Sequence, residues 1–179
     1  MAYFYCNRNE EARRQPENVL RSFVRQLALS QDQRSIQQDI VTLYEQKVIS
    51  GFASEKITYE QAEELLTTLA QPYSRITLIL DALDECHKET RIDLIETFGR
   101  LIKEVPKVKV LVSSRYDSDI KHQLEKEANL GIGATENEED IRKFVVTTIA
   151  QDQQRRRIPI SEELRAQIVQ VLDDKSNGM

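Results

Sequence analysis

The sequence predicts an α/β fold, a parallel sheet flanked by helices, on three observations. Ile76–Leu80 (ITLIL) and Val108–Val112 (VKVLV) are apolar, mostly branched runs of strand length. The segments around them carry apolar residues at helical spacing, so strand and helix alternate along the chain. Glycine (5) and proline (4) together make up about 5% of 179 residues, against a usual ~12%. That is too few turn formers for an all-β sandwich or barrel.

Each element has its own local signal. Ala2–Cys6 (AYFYC) is an aromatic run of strand type, and a chain that opens on a strand leads us to expect a fragment. Asn7–Gln15 reads as a polar loop. Pro16 stands where helices favour a first residue, and Val19, Leu20, Phe23, Val24 and Leu27 follow at helical spacing. A second helix is expected over Ser35–Ile49, with Ile36, Ile40, Leu43 and Tyr44 inward and Gly51 ending it. Thr58 and Gln61 form a capping-box pattern ahead of Ala62, Leu65, Leu66 and Leu69. Pro72 closes that helix. The unbroken apolar run Ile76–Leu80 suggests a strand covered on both faces. After it, Ile92, Ile95, Phe98, Leu101 and Ile102 read as the inward stripe of a helix that Pro106 stops. A short helix near Asp119–Lys126 and a weak fourth strand at Asn129–Ala134 are expected. Helices over Glu138–Ala150 and Ser161–Asp173 then follow, with Gln151–Arg157 as a linker. Helices are expected on both sheet faces.

Composition narrows the function. The 25 basic and 30 acidic residues give a net charge of −5, which argues against a general nucleic-acid binder. No apolar run approaches the ~18 residues of a membrane span, and the first residues show no basic stretch ahead of an apolar one, so no secretory signal is expected. Cys6 and Cys86 are too few for a disulfide framework. The expectation is a cytoplasmic protein with no membrane partner.

The most informative stretch is ITLILDALDEC, Ile76–Cys86. A strand that ends in Asp81 sets a carboxylate at the carboxyl edge of a parallel sheet, where α/β proteins bind ligands. Asp81 suits a hydrated magnesium ion, which takes one or two carboxylates plus phosphate oxygens and water. Asp84 and Glu85 lie just beyond, where an acid can orient or deprotonate a water. The residues alone leave open a solvated acidic turn before a helix N-terminus. VKVLVSSR, Val108–Arg115, would bring Ser and Arg to the same edge, within reach of a phosphate. An exposed strand exit is the alternative there. His87 and His122 have no ligand spacing, and Cys86 and His87, being adjacent, are expected to point apart. Arg155–Arg157 reads as solvated.

Strand–DALDE, helix, strand–SSR resembles Walker B followed by sensor 1 of a P-loop NTPase. The further Asp-Glu pair is typical of NACHT domains of the STAND class. YFYCNRNEEARRQPENVLRSFVRQL resembles the strand and helix after the P-loop helix in fungal NACHT proteins, a type also seen in nephrocystin-like N-terminal modules. NEEDIRKFVVTTI resembles the helix that enters the small helical subdomain, and KSNGM the start of a KSNGMFLWA-like motif. The resemblance implies a partial NACHT core over 1–135 and the start of a helical subdomain over 136–179. It implies that Asp81 organises magnesium, that Asp84 or Glu85 handles the hydrolytic water, and that Arg115 is the sensor 1 arginine near the γ-phosphate. Cofactors in the intact family would be Mg2+ and ATP or GTP.

A P-loop requires G-x-x-x-x-G-K-[ST], yet none of Gly51, Gly99, Gly131, Gly133 and Gly178 is followed by Lys. The resemblance implies that the missing loop's strand belongs between the Walker B and sensor 1 strands. Those two would then be left unpaired or would pair directly with each other. The expectation is a fragment of a signalling NTPase, inactive alone, that binds no nucleotide. Protein partners or self-association are expected. The alternatives are a non-catalytic interaction fragment and an unrelated magnesium-dependent hydrolase built on Asp81, Asp84 and Glu85.

Overall fold

The computed structural model describes residues 1–29, 35–132, 138–156 and 160–176. They form two compact units, Met1–Glu127 and Ala128–Met179.

The first unit is built on three parallel strands in the order β1 (Ala2–Tyr5), β2 (Ile76–Asp81), β3 (Val108–Val112). Ala2 pairs with Leu78 and Tyr5 with Asp81 on one side of β2; Ile76 pairs with Val108 and Leu80 with Val112 on the other. All three strands therefore deliver their carboxyl ends to one edge. The strands that end in Asp81 and lead to Arg115 are direct neighbours in this chain. This is the second of the two outcomes expected for a chain without the loop's strand, and the outer edge of β3 has no strand partner among the described residues.

Helices α1 (Pro16–Leu27), α2 (Gln38–Ile49), α3 (Tyr59–Ala70) and α4 (Arg91–Glu104) complete the layer, with the short α5 (Ser118–Gln123) after β3. The α3 start is a full capping box. Thr58 Oγ1 accepts from Gln61 N–H at 3.2 Å, and Gln61 Oε1 accepts from Thr58 N–H at 3.1 Å. Leu20, Phe23, Leu65 and Leu69 are buried as expected, in one core with Ile76, Leu78, Leu80, Phe98 and Leu101.

The structure departs from the sequence reading in five places. The fourth strand does not form: Asn129–Ile132 is irregular, with Leu130 and Ile132 exposed, and residues 133 and 134 lie outside the described residues. The core covers one face of the sheet, not two. Ala2, Ile76, Leu78, Leu80 and Val108 point into it, whereas Tyr3, Tyr5 and Leu111 on the alternate positions are half or more exposed and Ile79 is half-buried. In α4 the buried stripe is turned by one residue, to Arg91, Leu94, Thr97, Phe98 and Leu101, leaving Ile102 39% exposed. Two polar residues enter because both have partners, Arg91 in Asp117 and Asp119, and Thr97 in the Tyr59 hydroxyl at 2.9 Å. In α2, Ile40 and Leu43 pack against the core while Tyr44, like Ile36 ahead of the helix, is exposed. This helix lies mainly against α3, so a narrow apolar stripe suffices.

The second unit holds α6 (Glu138–Arg156) and α7 (Glu162–Ser176), which pack against each other. The fifth departure is here: α6 runs through the expected linker up to Arg156. No helix among the described residues is long and apolar enough to cross a membrane.

Candidate functional site at the carboxyl edge of the sheet

At the end of β2 the chain turns sharply. Ala82 takes the left-handed conformation (φ 57, ψ 51), which an L-residue with a Cβ adopts at a cost of roughly 1–2 kcal/mol. The turn is held from β3. Ala82 N–H donates to Ser113 Oγ at 3.1 Å, Leu83 N–H to the Ser113 carbonyl at 3.0 Å, and the Ser113 hydroxyl donates to Asp81 Oδ1. A single 3-10 turn, Leu83–Glu85, follows, pinned by the fully buried Leu83. It sets Asp84 and Glu85 side by side facing the β3 exit.

Arg115 meets both acids. Its backbone N–H donates to Asp84 Oδ1 at 3.0 Å, its Nε to Asp84 Oδ2 at 2.9 Å, and its terminal nitrogen to Glu85 Oε1 at 2.8 Å. Arg8, three residues past β1, closes the other side. Its backbone N–H donates to Glu85 Oε2 at 3.0 Å, and its guanidinium lies 3.3 Å from Glu85 and 3.7 Å from Asp84. Two guanidinium groups thus offset the repulsion between two carboxylates. The acids are well covered, at 10% and 21% side-chain exposure, while Arg115 is 63% exposed.

The four expected residues, Asp81, Asp84, Glu85 and Arg115, therefore gather at one edge. The sequence reading missed Arg8, which it placed in an undifferentiated polar loop. The available signal was position: a residue just past a strand parallel to β2 arrives at the same edge. It also missed the bond from Ser113 to Asp81, which only the β2–β3 register reveals.

Among the described residues no group of three or more His, Cys, Asp or Glu side chains could hold a metal ion. Asp81 as a single carboxylate ligand fits magnesium, which keeps most of its shell as water and phosphate oxygen.

Two further pairs flank the cluster. His87 pairs with Glu11 at 2.7 Å, and this hydrogen bond is the main cause that lowers the Glu11 carboxyl below its usual range. Cys86 faces the other way, to Cys6, with the two thiols 3.0 Å apart and both buried. Their hydrogen bond, then burial, holds the Cys6 thiol above its ordinary range, and the same bond draws the Cys86 thiol down. Cys86 and His87 do not form a catalytic dyad. His122 lies exposed on α5.

Fold and site together define a parallel α/β domain with an ion-paired polar cluster at the carboxyl ends of its strands, the place where this class of protein holds ligands. The model of the nephrocystin 3 N-terminal family matches residues 1–115, and the chain belongs to that family. The match takes in all three strands and ends on Arg115. No curated protein and no solved structure matches the chain.

Proposed function

We propose that this chain supplies the Walker B and sensor 1 half of a NACHT-type nucleotide switch, in the manner of fungal STAND-class signalling proteins of the NLR-like, innate-immunity type. The observation that carries this reading is the convergence of Asp81 and Arg115 from neighbouring parallel strands, with Asp84 and Glu85 between them. In the intact switch Asp81 holds magnesium, Asp84 or Glu85 orients the hydrolytic water, and Arg115 reaches the γ-phosphate. Bound Mg2+ with ATP or GTP would supply the electrophilic phosphoryl group and neutralise its charge. With 63% of its side chain exposed, Arg115 can leave the carboxylates for a phosphate at little desolvation cost.

The nucleotide-binding half is a separate requirement. The sequence contains no G-x-x-x-x-G-K-[ST], so the phosphate-cradling amides and lysine must come from another segment. In this reading the further strand enters between β2 and β3, replacing their direct pairing, and the exposed face with Tyr5 and Leu111 has the character needed to receive its helix. Without that segment, three lost phosphate bonds at roughly 1.5–3 kcal/mol each remove on the order of 5–9 kcal/mol. At 1.4 kcal/mol per tenfold, a micromolar site becomes millimolar or weaker. Calorimetry of the chain with Mg2+ and ATP or GTP is the test. No micromolar binding is expected; micromolar binding that Asp81→Asn destroys would overturn the claim that this chain is inactive alone.

A second reading is a non-catalytic interaction module, favoured by the exposed Tyr3, Tyr5 and Leu111 on one sheet face. It predicts concentration-dependent self-association by light scattering that Leu111→Lys abolishes. A monomer at all concentrations would remove that support.

A further inference from the structure

Cys6 follows directly on the end of β1, and Cys86 follows directly on the acidic 3-10 turn. Eighty positions apart in sequence, they bring their sulfurs to 3.0 Å in the core, with exposures of 6% and 4%. The backbones that carry them are fixed by neighbouring bonds. Cys6 N–H donates to the Asp81 carbonyl at 3.0 Å, and Cys86 N–H to the Leu83 carbonyl at 3.0 Å. A disulfide is about 2.05 Å long, so closing it needs a movement of roughly 1 Å. The chain has two cysteines in all, so neither has another partner within it.

We propose that Cys6 and Cys86 are a reversible dithiol–disulfide pair that locks the acidic turn to β1. The geometry supports this independently of any nucleotide. Cys6 lies two residues before Arg8, and Cys86 one residue after Glu85. The existing Arg8–Glu85 bonds therefore sit inside the small ring that the disulfide would close. In the reduced form described here the Arg8 bonds alone hold Asp84 and Glu85 to the end of β1; the oxidised form adds a covalent tie, so that the turn can no longer open by breaking those bonds.

The oxidant is a hydroperoxide, small enough to reach buried sulfur during local opening. Cys86 is the first to react, because it lies in the irregular segment ahead of α4, whereas Cys6 is held to β2. Its thiolate attacks a peroxide oxygen and breaks the O–O bond. The departing oxygen takes up a proton to leave as water or alcohol, and Cys86 becomes the sulfenic acid. The Cys6 sulfur then attacks Cys86 Sγ, the S–O bond breaks, and the hydroxide leaves as water with the proton that Cys6 gives up. Two thiols lose two electrons and two protons, and the peroxide gains them. Thiol exchange with dithiothreitol reverses the step.

The test uses the full chain, reduced, freed of reductant and treated with stoichiometric hydrogen peroxide. Intact mass spectrometry under denaturing, thiol-blocked conditions should show a monomer lighter by two hydrogens. A proteolytic digest should contain a Cys6–Cys86 linked peptide. Thermal unfolding should move up by several degrees and return with dithiothreitol, because the crosslink constrains the unfolded chain across eighty positions. Cys86→Ala should lose both the mass change and the thermal shift. Oxidised methionine adds oxygen and is told apart by mass. Full alkylation of both thiols after peroxide would overturn the proposal, as would sulfinic acid on one cysteine alone or a disulfide found only between chains. None of these mass readouts depends on a variant that folds.

Discussion

Among the described residues Arg91 is the one arginine in the core, at 2% exposure, and its two partners are unequal to it in burial. Its guanidinium donates through Nε to Asp119 at 3.0 Å and through a terminal nitrogen to Asp117 at 2.7 Å, while both carboxylates keep about a quarter of their side chains in water. This asymmetry fixes what mutation should do. Neutralising both acids, Asp117→Asn with Asp119→Asn, leaves a buried cation without a counter-charge. Stranding a buried charge costs roughly 3–5 kcal/mol, and the amide oxygens still accept hydrogen bonds, so about 3 kcal/mol is expected. Asn also keeps the cap that Asp117 provides to the start of α5. Arg91→Met removes the buried charge and leaves two carboxylates that water can reach, for about 1–2 kcal/mol. Urea unfolding of the three proteins measures both differences. Arg91→Met being as costly as the double neutralisation would refute the reasoning. The pH dependence adds a second readout. The Arg91 hydrogen bond, chiefly, holds the Asp119 carboxyl well below its ordinary range. A depressed folded-state value means the contribution is complete above the unfolded value of about 4 and is lost as pH falls below it. The wild-type chain should therefore lose stability on acidification below about pH 4 more steeply than the doubly neutralised variant.

Thr58→Ala should lower stability by about 1 kcal/mol in urea titration, since it removes one arm of the capping box. A double-mutant cycle of Asp84→Ala and Arg115→Ala should give a coupling of about 1 kcal/mol or less, because the arginine is 63% exposed despite its short bonds. A coupling near 3 kcal/mol would mean that the cluster is sealed from water in solution. Ala82→Val should cost at least roughly 1–2 kcal/mol at a left-handed position, while Ala82→Gly should be neutral or better; equal effects would show that the turn relaxes.

The elements read correctly from sequence are those whose signals are local. ITLIL and VKVLV announce strands by composition, and Thr58 with Gln61 announces a helix start at fixed spacing. The stripe on α4 was not legible, because the burial of Arg91 and Thr97 depends on Asp117, Asp119 and Tyr59, which arrive from distant positions. Taken alone, arginine and threonine read as surface residues, and Ile92 and Ile102 as core. The fourth strand failed for the opposite reason. Asn129–Ile132 has apolar residues, yet it takes no strand conformation, and Leu130 and Ile132 stay exposed.

The site was legible as far as direction goes, because parallel strands share a carboxyl edge and Asp81 and Arg115 each end one. Bonding within it was not, since Arg8 and Ser113 act through the register of all three strands. The sheet's second face carries the remaining information. Apolar residues at successive positions of β2 are the pattern of a strand covered on both sides. Alternate positions now fall on a face where Tyr3 is 50%, Tyr5 53% and Leu111 59% exposed. The pattern and the exposure agree if this face is built to receive a further layer. That is the same requirement reached from the missing phosphate loop, by a route that involves no charged residue. A polypeptide that joins this chain to a segment with the loop should protect Tyr3, Tyr5 and Leu111 from solvent. Protection should appear in hydrogen exchange of β1 and β3 whether or not nucleotide is present. Nucleotide binding gained without that protection would separate the two arguments and leave the exposed face to the interaction reading.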